Sequence, residues 1–184
     1  MDNGAASYRR YLEGDDEGMV ELIRDYKDGL TLYLLGISGN IFAAEEAMEQ
    51  TFYKLVVKKP GFSGKSSFKT WLYAIGRNAA LDSMRRAKRI SPVPVDEERL
   101  ESEENEVENA YLLSEKRKTV HRALKKLNPD YRQVLYLIYF ENMSGSEAAA
   151  VMKKNGKQIE NLAARARASL RSELKKEGFD YEDL

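Results

Sequence analysis

The chain has 184 residues, of which 42% are hydrophobic and 33% are charged, and its formal net charge is zero. This composition predicts one ordinary folded domain or two small ones and excludes a disordered chain. The chain has no cysteine and one histidine, and this composition excludes a disulfide framework and a thiolate metal site. His121, which we expect on the surface of a helix, cannot hold a metal alone, and no cofactor is expected.

The hydrophobic residues are dispersed along the chain. No apolar run approaches the roughly 20 residues of a membrane span, and the N-terminal residues lack the basic and then apolar pattern of a secretory signal. We therefore expect a cytoplasmic protein that does not insert into a membrane.

Charge is distributed in blocks. Residues 1–60 have a net charge of −4 and residues 61–91 of +6, whereas residues 92–115 have −8 and residues 116–184 again +6. Two basic blocks are each suited to attract phosphate, although the whole chain is neutral.

Helical periodicity dominates the first half of the chain. One predicted helix has an apolar stripe of Met19, Ile23, Tyr26, Leu30, Tyr33 and Ile37. It ends near Gly39, where Asn40 can cap a second helix that runs to about Lys58. A polar loop, residues 61–67, follows, and Ser66 or Ser67 can cap the next helix.

The helix that begins at Phe68 combines an apolar face with a basic end. Four of its last five positions are basic, namely Arg85, Arg86, Lys88 and Arg89. Favourable interaction with the helix dipole explains one or two cations there, so this number points to phosphate contact. Phe68 and Trp71 are suited to base stacking, but their helical spacing favours burial.

An acidic, apolar-poor segment then separates two helical units. The run Ser91-Pro92-Val93-Pro94 stops helix formation, and we predict a flexible linker over residues 91–108. The predicted architecture is therefore all-α, with one domain over residues 1–90 and another over residues 109–184. Such a tether lets two domains bind two sites on one partner.

The second unit resembles a helix-turn-helix. Pro129 begins one helix, and Ser144 with Glu147 forms a capping box at the start of a short one. A turn at Asn155-Gly156 leads to a longer helix. Its inward face is predicted to comprise Ile159, Leu162, Ala166 and Leu170, and its outward face includes residues suited to base edges and phosphates, namely Lys157, Gln158, Glu160, Asn161, Ala164 and Arg165. From periodicity alone, an ordinary antiparallel helix pair explains this pattern about as well.

Two segments together resemble a known family. Residues 68–86 read FKTWLYAIGRNAALDSMRR, and residues 127–170 include NPDYRQVL, FENMS and RARASL. Both segments, in this order and with a linker of this length, resemble small bacterial sigma factors of the extracytoplasmic-function group. The resemblance covers about residues 18–90 and 110–174, and it implies an alternative sigma factor that directs promoter-specific transcription initiation.

The resemblance implies that the N-terminal domain recognises and melts the minus-ten element. Asn78 then lies in the pocket that takes a flipped base, and the loop before Phe68 completes this pocket and holds the unpaired strand. The residues that the resemblance and the charge pattern assign to minus-ten DNA are Lys65, Ser66, Ser67, Lys69, Asn78, Arg85, Arg86, Lys88 and Arg89.

The resemblance also implies several partners. Glu45, Glu46, Glu49 and Gln50 would dock on the clamp helices of the largest subunit of core RNA polymerase. A solvated acidic face is the alternative from the residues alone. The flap of the second-largest subunit, promoter DNA and an inhibitory anti-sigma factor are further expected partners, and the sigma factor itself would not be an enzyme.

The C-terminal domain would read the minus-thirty-five element through the outward face from Lys157 to Arg165. Three positions depart from the family pattern: Lys153 stands in place of a usual glycine, Glu160 in place of a usual basic residue, and Ala164 in place of a bulkier residue. These departures leave open a sigma mimic that binds a partner but not promoters. A conventional helix-turn-helix regulator would explain residues 127–176 but not residues 41–90.

Overall fold

A computed structural model describes residues 3–87, 89 and 115–178, and within these ranges the chain forms helices and turns with no strand. The predicted linker, residues 91–108, lies outside the described residues. The N-terminal domain consists of α1 (Asn3–Leu12), α2 (Glu17–Ser38), α3 (Ile41–Lys58) and α4 (Phe68–Ala87). The C-terminal domain consists of α5 (Glu115–Lys125), α6 (Pro129–Leu135), α7 (Gly145–Met152) and α8 (Gly156–Lys176). The all-α prediction is confirmed.

Local capping explains where α3 and α4 begin. The Asn40 side chain accepts a hydrogen bond from the Ala43 amide at 2.9 Å, and the Ser67 hydroxyl accepts one from the Thr70 amide at 3.2 Å. Each bond satisfies an amide that has no partner within the helix. The bounds of α3 match the prediction, and Ser67, rather than Ser66, caps α4.

Helix α1 was not predicted from the sequence. It packs on α2 and α4 through Tyr8 and Tyr11, both buried. The Tyr8 hydroxyl donates to the Pro60 carbonyl at 2.8 Å, and burial raises the pKa of Tyr8 to about 12. Helix α1 thereby fixes the start of the loop that leads to α4.

The stripe predicted for α2 is wrong at one position. Ile23 is 37% exposed, whereas the preceding residue, Leu22, is 1% exposed and lies in the core. The other buried positions of the stripe, such as Leu30 and Tyr33, are confirmed. The prediction that His121 lies on the surface is also wrong, since His121 is 8% exposed and lines a crevice beside Leu35 and Gly36 of α2.

The helix predicted to run from Pro129 to about Glu141 changes its hydrogen bonding part-way. It is α-helical to Leu135 and continues as a π-turn over Tyr136–Phe140. The Glu141 amide donates to the Tyr136 carbonyl at 3.1 Å, which is a bond from residue i+5 to residue i. The π-turn leaves Tyr139 and Phe140 exposed.

The two domains pack directly on each other. α2 contacts α6 and the π-turn, and α4 contacts α7. Tyr33 of α2 is fully buried at this junction, with its ring centroid 5.4 Å from that of Tyr73 and 6.3 Å from that of Tyr136. Burial raises the pKa of Tyr33 and that of Tyr73. The domains predicted as tethered units thus share one hydrophobic core in this structure.

Candidate nucleic-acid interface

A groove of about 390 Å³ lies between α3 and α4 and contains Asn78. Its lining comprises Gln50, Tyr53, Lys54, Lys58, Ile75, Asn78, Ala79, Asp82 and Arg86. The half-buried Asn78 shares this lining with three cations and one carboxylate, Asp82, and Tyr53 is 66% exposed. An amide that donates and accepts, together with an exposed ring and cations, can bind an unstacked base and its phosphate.

The basic end of α4 lies beside this groove. Arg85 Nη1 is 2.7 Å from the Asp82 carboxylate, and both side chains are more than half exposed, so this pair contributes little stability. Arg86 Nη2 donates to Gln50 Oε1 at 3.3 Å, which joins α4 to α3. Arg89 is exposed, and Lys88 lies outside the described residues.

The loop that the sequence assigned to the same pocket lies elsewhere. Lys65 and Ser66 are exposed at its tip and are not part of the groove lining. Ser67 and Lys69 instead contact the C-terminal domain through Glu147 and Glu141 respectively. The structure therefore does not bring Asn78 and the loop residues together in one cavity.

The aromatic residues beside the loop form a cluster that supports it. Phe68 is fully buried, and its ring centroid lies 5.5 Å from the rings of Tyr8 and Trp71 and 5.6 Å from that of Phe62. Burial, which the helical spacing favoured, is thus confirmed for Phe68, and Trp71 is half-buried. This packing joins the start of α4 to α1 and to the loop before it.

Helix α8 presents the outward face that the sequence predicted. All six residues assigned to minus-thirty-five DNA are exposed: Lys157, Gln158, Glu160, Asn161, Ala164 and Arg165. The Asn155 side chain caps the helix, and the Asn155 backbone amide donates to Gln158 Oε1 at 2.9 Å. The Gln158 side chain therefore completes a capping box. Arg165 Nε donates to the Asn161 carbonyl at 3.3 Å and remains exposed.

The turn between α7 and α8 contains a residue in an unfavourable conformation. Lys153 has φ 54° and ψ 45°, the left-handed region that favours glycine. Its side chain is exposed, and its amide donates to the Ala149 carbonyl. Lysine in place of the usual glycine at position 153 therefore makes the conformation of the turn less favourable but keeps its backbone hydrogen bond.

The acidic residues of α3 lie beside apolar surface that the sequence analysis did not identify. Glu46 and Glu49 are exposed, and Gln50 Nε2 donates to Glu46 Oε1 at 2.8 Å; Glu45 is half-buried. On the same helix Val56 and Val57 are 40% and 56% exposed. The consecutive valines Val56 and Val57, on the same helix as the predicted docking residues, could have indicated this surface.

The C-terminal domain contains an apolar groove of about 440 Å³, which the sequence analysis also missed. It is lined by Val120, Leu135, Tyr139, Phe140, Arg167, Leu170, Arg171 and Leu174. Arg167 Nη1 donates to the Tyr139 hydroxyl at 3.2 Å at its edge. The π-turn turns these aromatic rings outward, and periodicity analysis assumes a regular helix, so it could not reveal this groove.

Two family models match these two domains. Residues 22–90 match sigma-70 region 2, and residues 117–170 match sigma-70, region 4. The chain belongs to the sigma-70 family, as a member of its extracytoplasmic-function group.

Curated relatives of this sigma factor belong to the same group. It is 25% identical over 172 residues to the ECF RNA polymerase sigma factor SigW of Bacillus subtilis, covering 89% of this chain and 92% of that protein. It is 29% identical over 168 residues to the ECF RNA polymerase sigma factor SigE of Mycolicibacterium smegmatis, covering 89% of this chain and 65% of the relative.

A solved structure has the same fold. The sigma factor RpoE of Bartonella quintana, in its complex with the anti-sigma factor NepR, superposes with a TM-score of 0.65 at 23% identity, covering 84% of this chain and 95% of that one. Among the described residues, the sigma factor has no helix that is both long and apolar enough to cross a membrane, and no cluster suited to hold a metal ion.

Proposed function

We propose that this protein is an alternative sigma factor that binds core RNA polymerase in the cytoplasm and directs initiation at promoters with a distinct minus-ten and minus-thirty-five element. The observation that carries this proposal is the groove between α3 and α4. Its lining combines Asn78 with three cations, one carboxylate and an exposed tyrosine. The protein would select and open the promoter, and the polymerase would perform the chemistry.

The groove is the pocket for a base flipped out of the non-template strand. Flipping costs a few kcal/mol, which stacking and edge hydrogen bonds must offset. The Asn78 amide supplies the edge hydrogen bonds, the Tyr53 ring a stacking surface, and Lys54 and Lys58 contacts to phosphate. Arg85, Arg86 and Arg89 extend this contact along the strand.

Helix α8 reads the minus-thirty-five element as duplex in the major groove. Asn161 and Arg165 lie on its exposed face, one turn apart, and Lys157 stands at its N-terminal end. Amide and guanidinium groups are suited to base edges, and lysine is suited to phosphate. Because Gln158 is used in the capping box, it is a weaker candidate for base contact.

Polymerase contacts would use two further surfaces. The acidic face of α3 docks on the clamp helices, with Glu46 and Glu49 giving orientation and the exposed Val57 adding apolar contact. The apolar groove lined by Tyr139 and Phe140 accepts an apolar segment of the polymerase flap or of an anti-sigma factor. The complex of RpoE with NepR is the precedent for an anti-sigma partner.

Run-off transcription tests this function. Purified protein and bacterial core polymerase, supplied with fragments of the genome that encodes the protein, should give discrete transcripts that share two spaced upstream elements. Asn78→Ala should impair open-complex formation and leave polymerase binding intact. Ser83→Ala, a half-buried position on α4 outside the groove lining, is the control. Absence of polymerase binding would contradict the proposal, and unchanged opening by Asn78→Ala would contradict the pocket assignment.

A further inference from the structure

The apolar groove of the C-terminal domain carries positive charge on its α8 side. Its volume is about 440 Å³, and α8 contributes Arg167, Leu170, Arg171 and Leu174 to its lining. Among the described residues that line it, two are arginines and none is acidic. An occupant that matches this lining therefore combines apolar side chains with carboxylates.

The sequence that follows α8, segment 179–184, has this composition. It reads FDYEDL, with two aromatic residues and a leucine among three acidic residues. Phe179 and Tyr181 alternate with Asp180 and Glu182. Successive side chains of an extended chain point to opposite sides, so an extended course separates the two rings from these two carboxylates. The segment is therefore amphipathic when it is extended.

The end of α8 turns the chain back toward the groove. Gly178 has φ 74°, in the left-handed region, and its amide donates to the Lys175 carbonyl at 3.2 Å. With Glu177 as the C-cap, this is one of the two hydrogen bonds of a Schellman motif. In that motif the residue after the left-handed glycine often packs on an apolar residue in the last turn of the helix. Here these two residues are Phe179 and Leu174, and Leu174 lines the groove.

An ion pair fixes the place where the segment begins. Glu177 Oε1 is 2.5 Å from Lys126 Nζ, which joins the end of α8 to the residue that follows α5. Val120 on α5 and Arg171 on α8 each lie six residues before a member of this pair, and both line the groove. Both helices therefore run from the groove toward the ion pair, and segment 179–184 begins at one end of the groove.

The segment is long enough to follow the groove. Arg167, the most distant lining residue of α8, lies 11 residues before Gly178, which is about 16 Å along a helix that rises ~1.5 Å per residue. Six residues of extended chain span about 20 Å. A chain that reverses at Gly178 and runs back along α8 therefore passes Leu174, Leu170 and Arg167 in turn.

We propose that segment 179–184 occupies the apolar groove of its own chain. Its rings lie on the apolar lining, and its carboxylates lie at the rim with Arg167 and Arg171. A partner that enters the groove must displace the segment. This displacement rests on the proposed function, which assigns the groove to the polymerase flap or to an anti-sigma factor, whereas the docking of the segment does not.

Paramagnetic relaxation in the full chain tests the docking. The chain has no cysteine, so Asp183→Cys provides the single site for a nitroxide label and leaves both rings and two carboxylates in place. We expect the amide signals of Val120 and Phe140 to lose most of their intensity relative to the same sample after the nitroxide is reduced. Both residues line the groove from elements other than α8, so a segment that extends into solvent would leave their signals strong.

Two paired variants separate docking from mere proximity. Phe179→Ser with Tyr181→Ser removes both rings and should restore the signals of Val120 and Phe140. Phe179→Leu with Tyr181→Phe keeps apolar side chains at both positions and should leave the signals weakened. A mixture of labelled protein without ¹⁵N and unlabelled ¹⁵N protein reports on a second copy, because only contacts between molecules weaken its signals. Circular dichroism verifies that each variant is folded.

Affinity for core polymerase tests the displacement. If the segment occupies the groove about nine-tenths of the time, the apparent affinity of a partner that needs the groove falls about tenfold. The paired serine variant should therefore bind core polymerase about tenfold more tightly than wild type. The variant with Leu and Phe should bind with the affinity of wild type.

The outcomes separate the proposals. Strong signals of Val120 and Phe140 in the labelled chain would overturn the docking, and weakened signals in the mixture would assign the groove to a second copy and overturn docking within one chain. Equal polymerase affinity of the paired serine variant and wild type would overturn the displacement. Failure of wild type and every variant to bind polymerase would overturn the proposed function and leave the docking, which the nitroxide measures without polymerase, intact.

Discussion

Gln133 of α6 is 2% exposed, and its side-chain oxygen accepts a hydrogen bond from Arg77 of α4 at 2.9 Å. The same oxygen receives a longer bond, 3.4 Å, from the Tyr33 hydroxyl of α2. One buried amide therefore connects three helices of both domains. Arg77 belongs to the segment that made this family recognisable, and it faces the other domain here, whereas its neighbour Asn78 faces the groove.

The first prediction concerns this hydrogen bond. Gln133→Leu should lower the free energy of unfolding by about 1–3 kcal/mol, because it leaves the partly buried Arg77 guanidinium without this acceptor. Urea unfolding of wild type, Gln133→Leu, Arg77→Ala and the double variant forms a double-mutant cycle. We expect a coupling of about 1 kcal/mol or more. A coupling near zero would mean that the two side chains contribute independently.

The second prediction concerns Lys153, which has φ 54° at the end of α7. Lys153→Gly should raise the free energy of unfolding by about 0.5–1 kcal/mol, because glycine adopts this region without steric cost. Lys153→Ala also removes the charge but keeps the Cβ, so it should give no gain. Thermal unfolding distinguishes the two, and equal stabilisation by both would attribute the effect to charge.

The third prediction concerns DNA reading by α8. Arg165→Ala should weaken duplex binding and reduce the slope of log affinity against log salt by about one if Arg165 contacts a phosphate. Lys175→Ala removes the same charge from the far end of the helix and should leave the slope unchanged. Titrations of holoenzyme on a minus-thirty-five duplex at several salt concentrations measure both. An unaltered slope and affinity for Arg165→Ala would mean that Arg165 does not contact the DNA.

The fourth prediction concerns Glu147. Hydrogen bonds from the Ser144 amide and hydroxyl, with smaller contributions from Ser67 and Thr70, lower its pKa below the ordinary value of 4.5. Because the folded pKa is depressed, the ionised carboxylate contributes stability that is fully present above pH ~4.5 and is lost as the pH falls through the folded pKa.

The stability difference between wild type and Glu147→Gln should therefore be largest near neutral pH and shrink toward about pH 3. Urea unfolding across this range measures it. Glu173→Gln, whose carboxylate pairs with the exposed Lys176 on α8, is the control substitution. A difference that is constant with pH would contradict the role of the ionised Glu147 carboxylate.

Features set by a few adjacent residues were predictable from the sequence. Asn40, Ser144 and Asn155 each cap a helix within three residues of themselves, so the starts of α3, α7 and α8 follow from short patterns. The outward face of α8 follows from a regular period. The position of Ile23 was missed because Leu22 and Ile23 are both apolar, and only packing against α1 and α4 decides which is buried.

Contacts between distant residues were not predictable. The groove around Asn78 requires the relative position of α3 and α4, and the contacts of Lys69 and Ser67 require that of the two domains. From residue types alone Lys69 was assigned to DNA. A lysine at the end of a polar loop does not indicate a contact with Glu141, which lies 72 positions later in the chain. The acidic face and the basic helix end were recognised as charge patterns, but the bond between Gln50 and Arg86 that joins them was not.

The π-turn at Tyr136–Phe140 has a consequence for how such proteins can diverge. Each residue of a regular helix turns the chain by about 100°, so one residue added to a turn rotates everything beyond it by that angle. Here the rotation directs Glu141 toward Lys69. Deletion of one residue from Tyr136–Phe140 would restore the regular winding, point Glu141 away from Lys69 and rotate α7 and α8 by the same angle. A single codon lost or gained at this place would therefore change which face of the C-terminal domain packs against the N-terminal domain.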